Sequence, residues 1–566
     1  MNRFLALRTL VLVAIALSVT QELAKADDLE SLADDFWTWR AAEQPVSSDD
    51  IPRLDRPVNW TPDWSPETVR RYQEKLVSFE SRWRALKASK GSIQQQVDYR
   101  LMGSALARVR WELEVNRGWR RNPLFYVDQT VGAYFHLLLP PPPFDRARTE
   151  QIVATLTSVP ATLDFARKNL SQMVGPFARL AIDHLQNIRP QMQASITALK
   201  PKLDSASASS LDGSAEKAIQ ALESYRDWLT QRVDSLPTQT AVGRADYIFF
   251  LKNVALIPYS PERLLEIGSD EWARSVAFQI YEEHRNKGLP QLQIFKSVND
   301  EIAGEIKDEL AIREYLEAKD LLSVPSWVEH YRVAAMPDYL DPLQSIGEAD
   351  DFTSPTRLKE NSTRYINPPA ANLGYFALSA AKDPRGEIVH EGVPGHYLQL
   401  VLSWAHSDPI RRHYYDSGAN EGIGFYAEEM MLEAGLFDNS PRSREIIYNF
   451  MRLRALRVEV DVKLALGLFT IDQAAEYLQR TVPMDRQTAG AEAAFFASGP
   501  GQAISYQIGK TQILHFLADA QSREGDKFSL RAFHDFLWLN GNVPLSLQRW
   551  EYLGLKDDLD AIESLH

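Results

Sequence analysis

The chain has 566 residues, a formal net charge of −14 and no cysteine. So acidic a balance argues against nucleic acid or an anionic lipid surface as partner. Without cysteine there are no disulfides, thiolate nucleophiles, cysteine–metal sites or cysteine-borne lipid anchors, so a transition metal here falls to histidine and carboxylates.

The amino terminus reads as an export signal: Arg3 and Arg8, the apolar run 10–19, then the small-residue cleavage site Ala24-Lys25-Ala26. Residues 1–26 are expected to be removed, leaving 27–566 as one periplasmic or secreted catalytic unit without stable membrane insertion. No later apolar run reaches the length of a membrane span. In chain order, the prolines of "LLLPPPPF" (140–143) predict a rigid connector. "DSASASSLDGSAE" (204–216) is the Ser/Ala/Gly-rich stretch and predicts a hinge between two lobes.

"SPERLLEIGSDEWARSVAFQIYEEHRNKG" predicts a helix capped by Ser260 with Pro261 at its first position, a second cap at Ser269, and a stop at Gly288. Strand-like alternation is scarce, and "NLGYFALS" (372–379) is its best instance. "GANEGIGFYAEEMMLEAGLF" predicts a helix from an Asn420 cap to Gly435, and "TIDQAAEYLQR" carries a capping box, Thr470 with Gln473. "SLRAFHDFLWLNGNVPLSL" ends its helix at Asn540-Gly541. The fold class is mainly α with a small β element.

The chemistry concentrates after residue 388. "IVHEGVPGHYLQ" places His390, Glu391 and His396 together, but the histidines are six apart. On a regular helix i+4 turns by ~40° and i+6 by ~240°, so an unbroken helix would separate them. Pro394 between Gly392 and Gly395 makes an unbroken helix untenable. A two-residue bulge restores the two-histidine face of an H-E-x-x-H zinc site, with Glu391 as general base. The same residues also fit a plain Pro-Gly helix break with one histidine as a cap or core residue.

A catalytic zinc wants a third protein ligand and an open position. Glu421 lies 25 residues past His396, flanked by Gly422 and Gly424, which would let its helix come close. Glu428 shares its face and reads either as a carboxylate orienting a ligand or as a solvated acid. Glu429 and Glu433 read as solvent-facing. In "SGPGQAISYQIGKTQIL", Gln502, Tyr506 and Lys510 form a polar stripe at i, i+4 and i+8. Tyr506 suits donation to a developing oxyanion. Lys510 reads as a substrate-carboxylate binder or a solvated lysine, and Gln502 joins it in the candidate substrate site. His515 could reach the same pocket, and His534 reads as structural.

"HEGVPGHYLQ", "NEGIGFYAEE" and "PGQAISYQIGK" resemble the signature blocks of the bacterial domain of unknown function family 885, with weaker support from 243–268 and 533–545. That family resembles the gluzincin metallopeptidases, whose helical examples are angiotensin-converting enzyme and thimet oligopeptidase. The resemblance implies a two-lobed helical fold with a deep central channel and one zinc ion per chain. It implies His390, His396 and Glu421 as ligands, Glu391 as base and Tyr506 as the group that stabilises the tetrahedral intermediate. It further implies a short strand beside the metal that pairs with substrate backbone, and "LGYFALS", with Tyr375, is the candidate. The chain departs from the pattern at Phe495 and Phe496, where arginine and tyrosine are expected, while Glu492 is kept.

The expected function is an exported zinc-dependent peptidase for short peptides, with action from the carboxyl end suggested by analogy alone. The alternatives are a zinc-dependent amidase for a non-peptide or modified amide, and a catalytically inactive binding or scaffold relative.

Overall fold

The structure is a computed structural model and describes residues 28–47, 54–86 and 91–566. The signal segment and its cleavage site lie outside the described residues. The amino-terminal half is helical throughout. Helix Ile93–Arg110 opens on a full capping box, Ser92 with Gln95, and Arg146–Asn169 opens on Asp145. The proline run connects Ala133–Leu138 to that second helix. Their apolar stripes meet in one core around Leu101, Leu156, Leu163, Met192, Leu222 and Tyr225.

The expected hinge at 204–216 is instead the opening of a helix, Ser205–Thr230. Serine and alanine are tolerated in a helix, and Leu211, Ala215 and Ala218 recur at helical spacing and are buried. Burial of that stripe decides what composition alone left open.

Seven helices carry the candidate site: α1 (Pro261–Arg285), α2 (Val298–Ala318), α3 (His396–Trp404), α4 (Ser417–Glu433), α5 (Pro441–Ala465), α6 (Arg486–Ser498) and α7 (Ser505–Glu524). Helix α1 starts at the Ser260 cap with Pro261 as predicted, but runs straight through Ser269, so the second cap does not exist. Helix α4 is capped by Asp416, four residues before the predicted Asn420 cap. The Asp416 carboxylate accepts from the Ala419 N–H at 2.8 Å, while the Asn420 amide donates to Gln399 at 2.9 Å. The capping box at Thr470 and the stops at Gly435 and Asn540-Gly541 fall where predicted.

Helices α4 and α7 cross in near backbone contact. A Cβ on Gly509 would lie 2.1 Å from the Gly418 carbonyl and 2.6 Å from Gly422 Cα. Only glycine permits this approach.

The β element is a three-stranded sheet of β1 (Tyr331–Ala335), β2 (Asp350–Asp351) and β3 (Ser362–Ile366), in the order β1–β3–β2. Strands β1 and β3 are parallel with Tyr331 opposite Ser362, and β2 is antiparallel to β3 with Asp351 opposite Thr363. The predicted strand at 372–379 is not among them. Tyr375–Ala380 is a short helix begun at Gly374. Its first free N–H, on Tyr375, is satisfied by the distant Asp485 carboxylate at 3.0 Å, a partner that local alternation cannot reveal. No helix among the described residues is long and apolar enough to cross a membrane.

Candidate metal centre

Residues Ile388–Gly392 form a single wide π-helical turn carrying His390 and Glu391. Val393 is extended and the chain re-enters helix at His396. Both flanking glycines are required. A Cβ on Gly395 would lie 1.8 Å from the His390 carbonyl oxygen, and one on Gly392 would lie 2.8 Å from the Tyr331 ring. The break is pinned from outside by Trp538, whose indole N–H donates to the Pro394 carbonyl at 2.6 Å. The predicted bulge therefore exists, and it brings the imidazole centroids to 4.7 Å.

Helix α4 delivers the third group. Glu421 Oε2 lies 3.1 Å from His396 Nε2 and 3.5 Å from His390 Nε2. Gly424, one turn on, leaves space for both rings: a Cβ there would lie 2.9 Å from His396 Cε1 and 3.0 Å from His390 Cε1. Glu391 also offers an oxygen, and one donor atom each from His390, Glu391 and His396 lie within 4.8 Å of one another. Two buried imidazole nitrogens facing one carboxylate form a donor set that zinc accepts.

Glu428 is fully buried, which removes the solvated reading, and its Oε1 lies 2.6 Å from His390 Nδ1. His390 Nδ1 also lies 3.3 Å from Arg454 Nη2, while Nε2 faces Glu421. Burial and Arg454 push the His390 pKa down, but Glu421 and Glu428 outweigh them and raise it to about 9. Burial opposes ionisation of Glu421, yet the two imidazoles hold its carboxyl far below the usual range. A cation bound among these groups would displace protons from them.

Tyr506 stacks on His390 with centroids 6.2 Å apart and planes at 15°, and Arg457 lies 4.4 Å above its ring. Helix α7, which carries Tyr506, begins only at Ser505, so the predicted three-residue stripe is split. Gln502 sits in the turn before it and accepts from the Ser417 hydroxyl at 3.0 Å. Lys510 is fully buried and committed, with Nζ 2.6 Å from Glu429 and 3.3 Å from Glu271. It is neither a free substrate-carboxylate binder nor a solvated lysine. Glu429 is correspondingly not solvent-facing, whereas Glu433 is.

Tyr375 is buried against Phe376 and Phe450, and its hydroxyl accepts from the Asn449 amide at 2.7 Å, so it offers no strand edge to a substrate. His515 lies instead beside Tyr259 in a separate cleft with Asp519, Arg549 and Asp558. His534 is structural as expected, but through the Leu321 carbonyl at 2.7 Å and the Tyr426 hydroxyl at 2.8 Å rather than its neighbour Asp535. Glu348 is exposed to solvent, yet the protein around it, with Glu391 and Glu421 nearby, raises its carboxyl to about 7.

Residues 59–550 match the family model described as "Bacterial protein of unknown function (DUF885)". The chain belongs to this family. No curated protein matches it in sequence. Among solved structures it is similar to a candidate lipoprotein of unknown function from Shewanella oneidensis, at 18% identity and a TM-score of 0.72, covering 94% of this chain and 99% of that one. It is also similar to a candidate lipoprotein from Colwellia psychrerythraea, at 17% identity and a TM-score of 0.75, covering 96% and 99%. At these identities the likeness shows the fold alone.

This DUF885 member has phenylalanine at 495 and 496, yet an arginine stands beside Tyr506 all the same. Arg457 comes from α5, pairs with the retained Glu492, with Nε at 3.0 Å, and lies 5.4 Å from the Phe496 ring. Sequence reasoning missed α5. "RALRVEVD" carries Arg454, Arg457 and Asp461 at i, i+3 and i+7 on a face shared with Ile447, Phe450 and Val458, the signal that could have drawn attention. Arg454 reaches Glu428 at 2.8 Å. Asp461 accepts from the Gly501 and Ala503 N–H groups at 2.9 and 2.8 Å and so fixes the turn leading to Tyr506.

Proposed function

We propose that this protein is an exported zinc-dependent hydrolase of amide bonds, with short peptides as the first substrate class. The observation that carries the reading is the convergence of His390 Nε2 and His396 Nε2 on one oxygen of Glu421, at 3.5 and 3.1 Å. These three residues would hold the ion. When bound, zinc supplies Lewis-acid polarisation of a carbonyl and a more acidic water.

Glu391 stands beside both imidazoles. In the reaction it takes a proton from the attacking water and returns it to the departing amine, the two tasks of one general acid–base group. Tyr506, stacked on His390 and held by Arg457, donates its hydroxyl hydrogen to the oxygen on which negative charge develops. Burial and the charge of Glu421 keep that hydroxyl protonated, its pKa well above the ordinary value. Restriction to short substrates, and any preference for the carboxyl end, rest on likeness to helical metallopeptidases.

The test is metal analysis of the purified protein with a peptide-library digest by wild type and Glu391→Gln. One zinc per chain, and cleavage lost in a variant that still binds zinc, is the expected result. A wild type that takes up no metal defeats the reading. Cleavage of isopeptides or other amides with ordinary peptides untouched would move the substrate class to modified amides.

A further inference from the structure

We propose that Arg454 is a positioning residue for the ligand His390, acting through Glu428 and through its own contact with the ring. The inference rests on the metal-site reading above. Glu428 Oε1 lies 2.6 Å from His390 Nδ1 and 2.8 Å from Arg454 Nη2. A glutamate has three side-chain torsions, and a single contact to an imidazole leaves the carboxylate free to turn. A second contact, from Arg454, fixes the oxygen, and Nη2 itself lies 3.3 Å from Nδ1, so carboxylate and guanidinium together fix the plane of the ring.

Arg454 is itself held by three aromatic faces, with its guanidinium carbon 5.2 Å from the Phe425 ring, 5.2 Å from Phe450 and 5.8 Å from Tyr506. Those contacts come from three helices, α4, α5 and α7, so the guanidinium sits where the elements of the site meet. It does not reach a substrate. The residue is 4% exposed, and its Nε and Nη1 are buried without hydrogen-bond partners. Two unmet donors on a buried cation are costly. Phenylalanine, leucine or methionine would fill this space at less expense in stability, so the guanidinium is explained by what it does to Glu428. The outcome is one mutually contacting set, Arg454 of α5, Glu428 of α4 and His390 of the π-helical turn, which sets the direction of Nε2.

The test measures zinc affinity by chelator competition on the full chain for wild type, Arg454→Met, Glu428→Gln and the double variant. Zinc affinity is expected to fall about 10- to 100-fold in each single variant. The two single losses are expected to combine less than additively in the double variant, because Arg454, Glu428 and His390 form one mutually contacting set. A merely structural arginine would lower the unfolding midpoint and leave zinc affinity unchanged, or its effect would add to that of Glu428→Gln, and either result overturns the proposal. If Arg454→Met does not fold, Arg454→Lys is measured in its place: a loss of zinc affinity supports the proposal, and wild-type affinity overturns it. Wild type that binds no zinc overturns the metal-site reading itself, whereas zinc-binding wild type with unaffected variants overturns this inference alone.

Discussion

Gly424→Ala tests the metal centre without touching a donor. The added methyl would lie 2.9 Å from His396 Cε1, 3.0 Å from His390 Cε1 and 3.2 Å from His390 Nδ1. Carbon contacts are comfortable from about 3.5 Å, so each ring must retreat by about half an ångström, or α4 must back away. In the metal-free protein that adjustment is shared among several side chains. Insertion into a packed site costs about 1–3 kcal/mol, against a gain of roughly 1 kcal/mol from replacing glycine inside a helix. The net change in metal-free stability is therefore small, about 0–2 kcal/mol of loss.

With zinc bound the rings cannot retreat, because ligand distances tolerate only about 0.2 Å. The clash then falls on the bound state, and about 1–3 kcal/mol becomes a roughly 5- to 150-fold loss of zinc affinity. Urea unfolding of the metal-free proteins and chelator competition measure the two quantities separately. A folded Gly424→Ala protein that holds zinc within about twofold of wild type would refute the placement of both imidazoles against α4.

Lys510→Ala removes the fully buried cation shared by Glu429 and Glu271, which keep Arg274 at 2.8 and 3.1 Å. With Arg274 still compensating both carboxylates, it should cost about 1.5–3 kcal/mol in denaturant unfolding, and a variant as stable as wild type but poor in substrate binding would return Lys510 to the substrate site. Glu305 lies buried with neither carboxylate oxygen hydrogen-bonded, and burial, reinforced by Glu387 and Glu301 against Arg364, raises its pKa from 4.5 to about 8. The folded state thus keeps a proton that the unfolded chain releases, so stability falls as pH rises from 4.5 to about 8. Glu305→Gln should escape that fall, and parallel stability–pH curves for variant and wild type would disprove it.

His534 has the opposite sense. Burial depresses its pKa from 6.5 to about 4, against a raising effect of the Leu321 carbonyl. Stability is then lost as pH falls from 6.5 toward 4, by about 3 kcal/mol. His534→Gln should flatten that part of the profile relative to wild type, as read by thermal unfolding at a series of pH values.

The local instructions for the candidate site were legible in the chain. Pro394 between two glycines forbids a regular helix whatever surrounds it, and a two-residue excess over H-E-x-x-H has a simple remedy in a widened turn. The structure contains that turn at Ile388–Gly392. Caps were legible where the side chain serves its own helix, as at Ser260 and Thr470. A cap was misread where a better acceptor stood four residues upstream, as with Asp416 before Asn420, and the helix at Tyr375 was read as a strand because the carboxylate that satisfies its first N–H is remote. Lys510 and Glu429 were misread for a related reason: a charged residue on a polar stripe looks solvated until another helix, α1 with Glu271, supplies the rest of the ion pair.

By itself, then, the sequence determined the mainly helical class, the break between the histidines and the identity of the donors that could surround a metal. These depend on dihedral limits and residue chemistry within a few positions. Tertiary structure alone decided that Glu421 meets both imidazoles, that Glu428 is buried on His390 rather than solvated, and that α5 supplies Arg454 and Arg457. Those placements follow from helix packing, above all the glycine crossing of α4 and α7, where two backbones meet at a distance no side chain would allow.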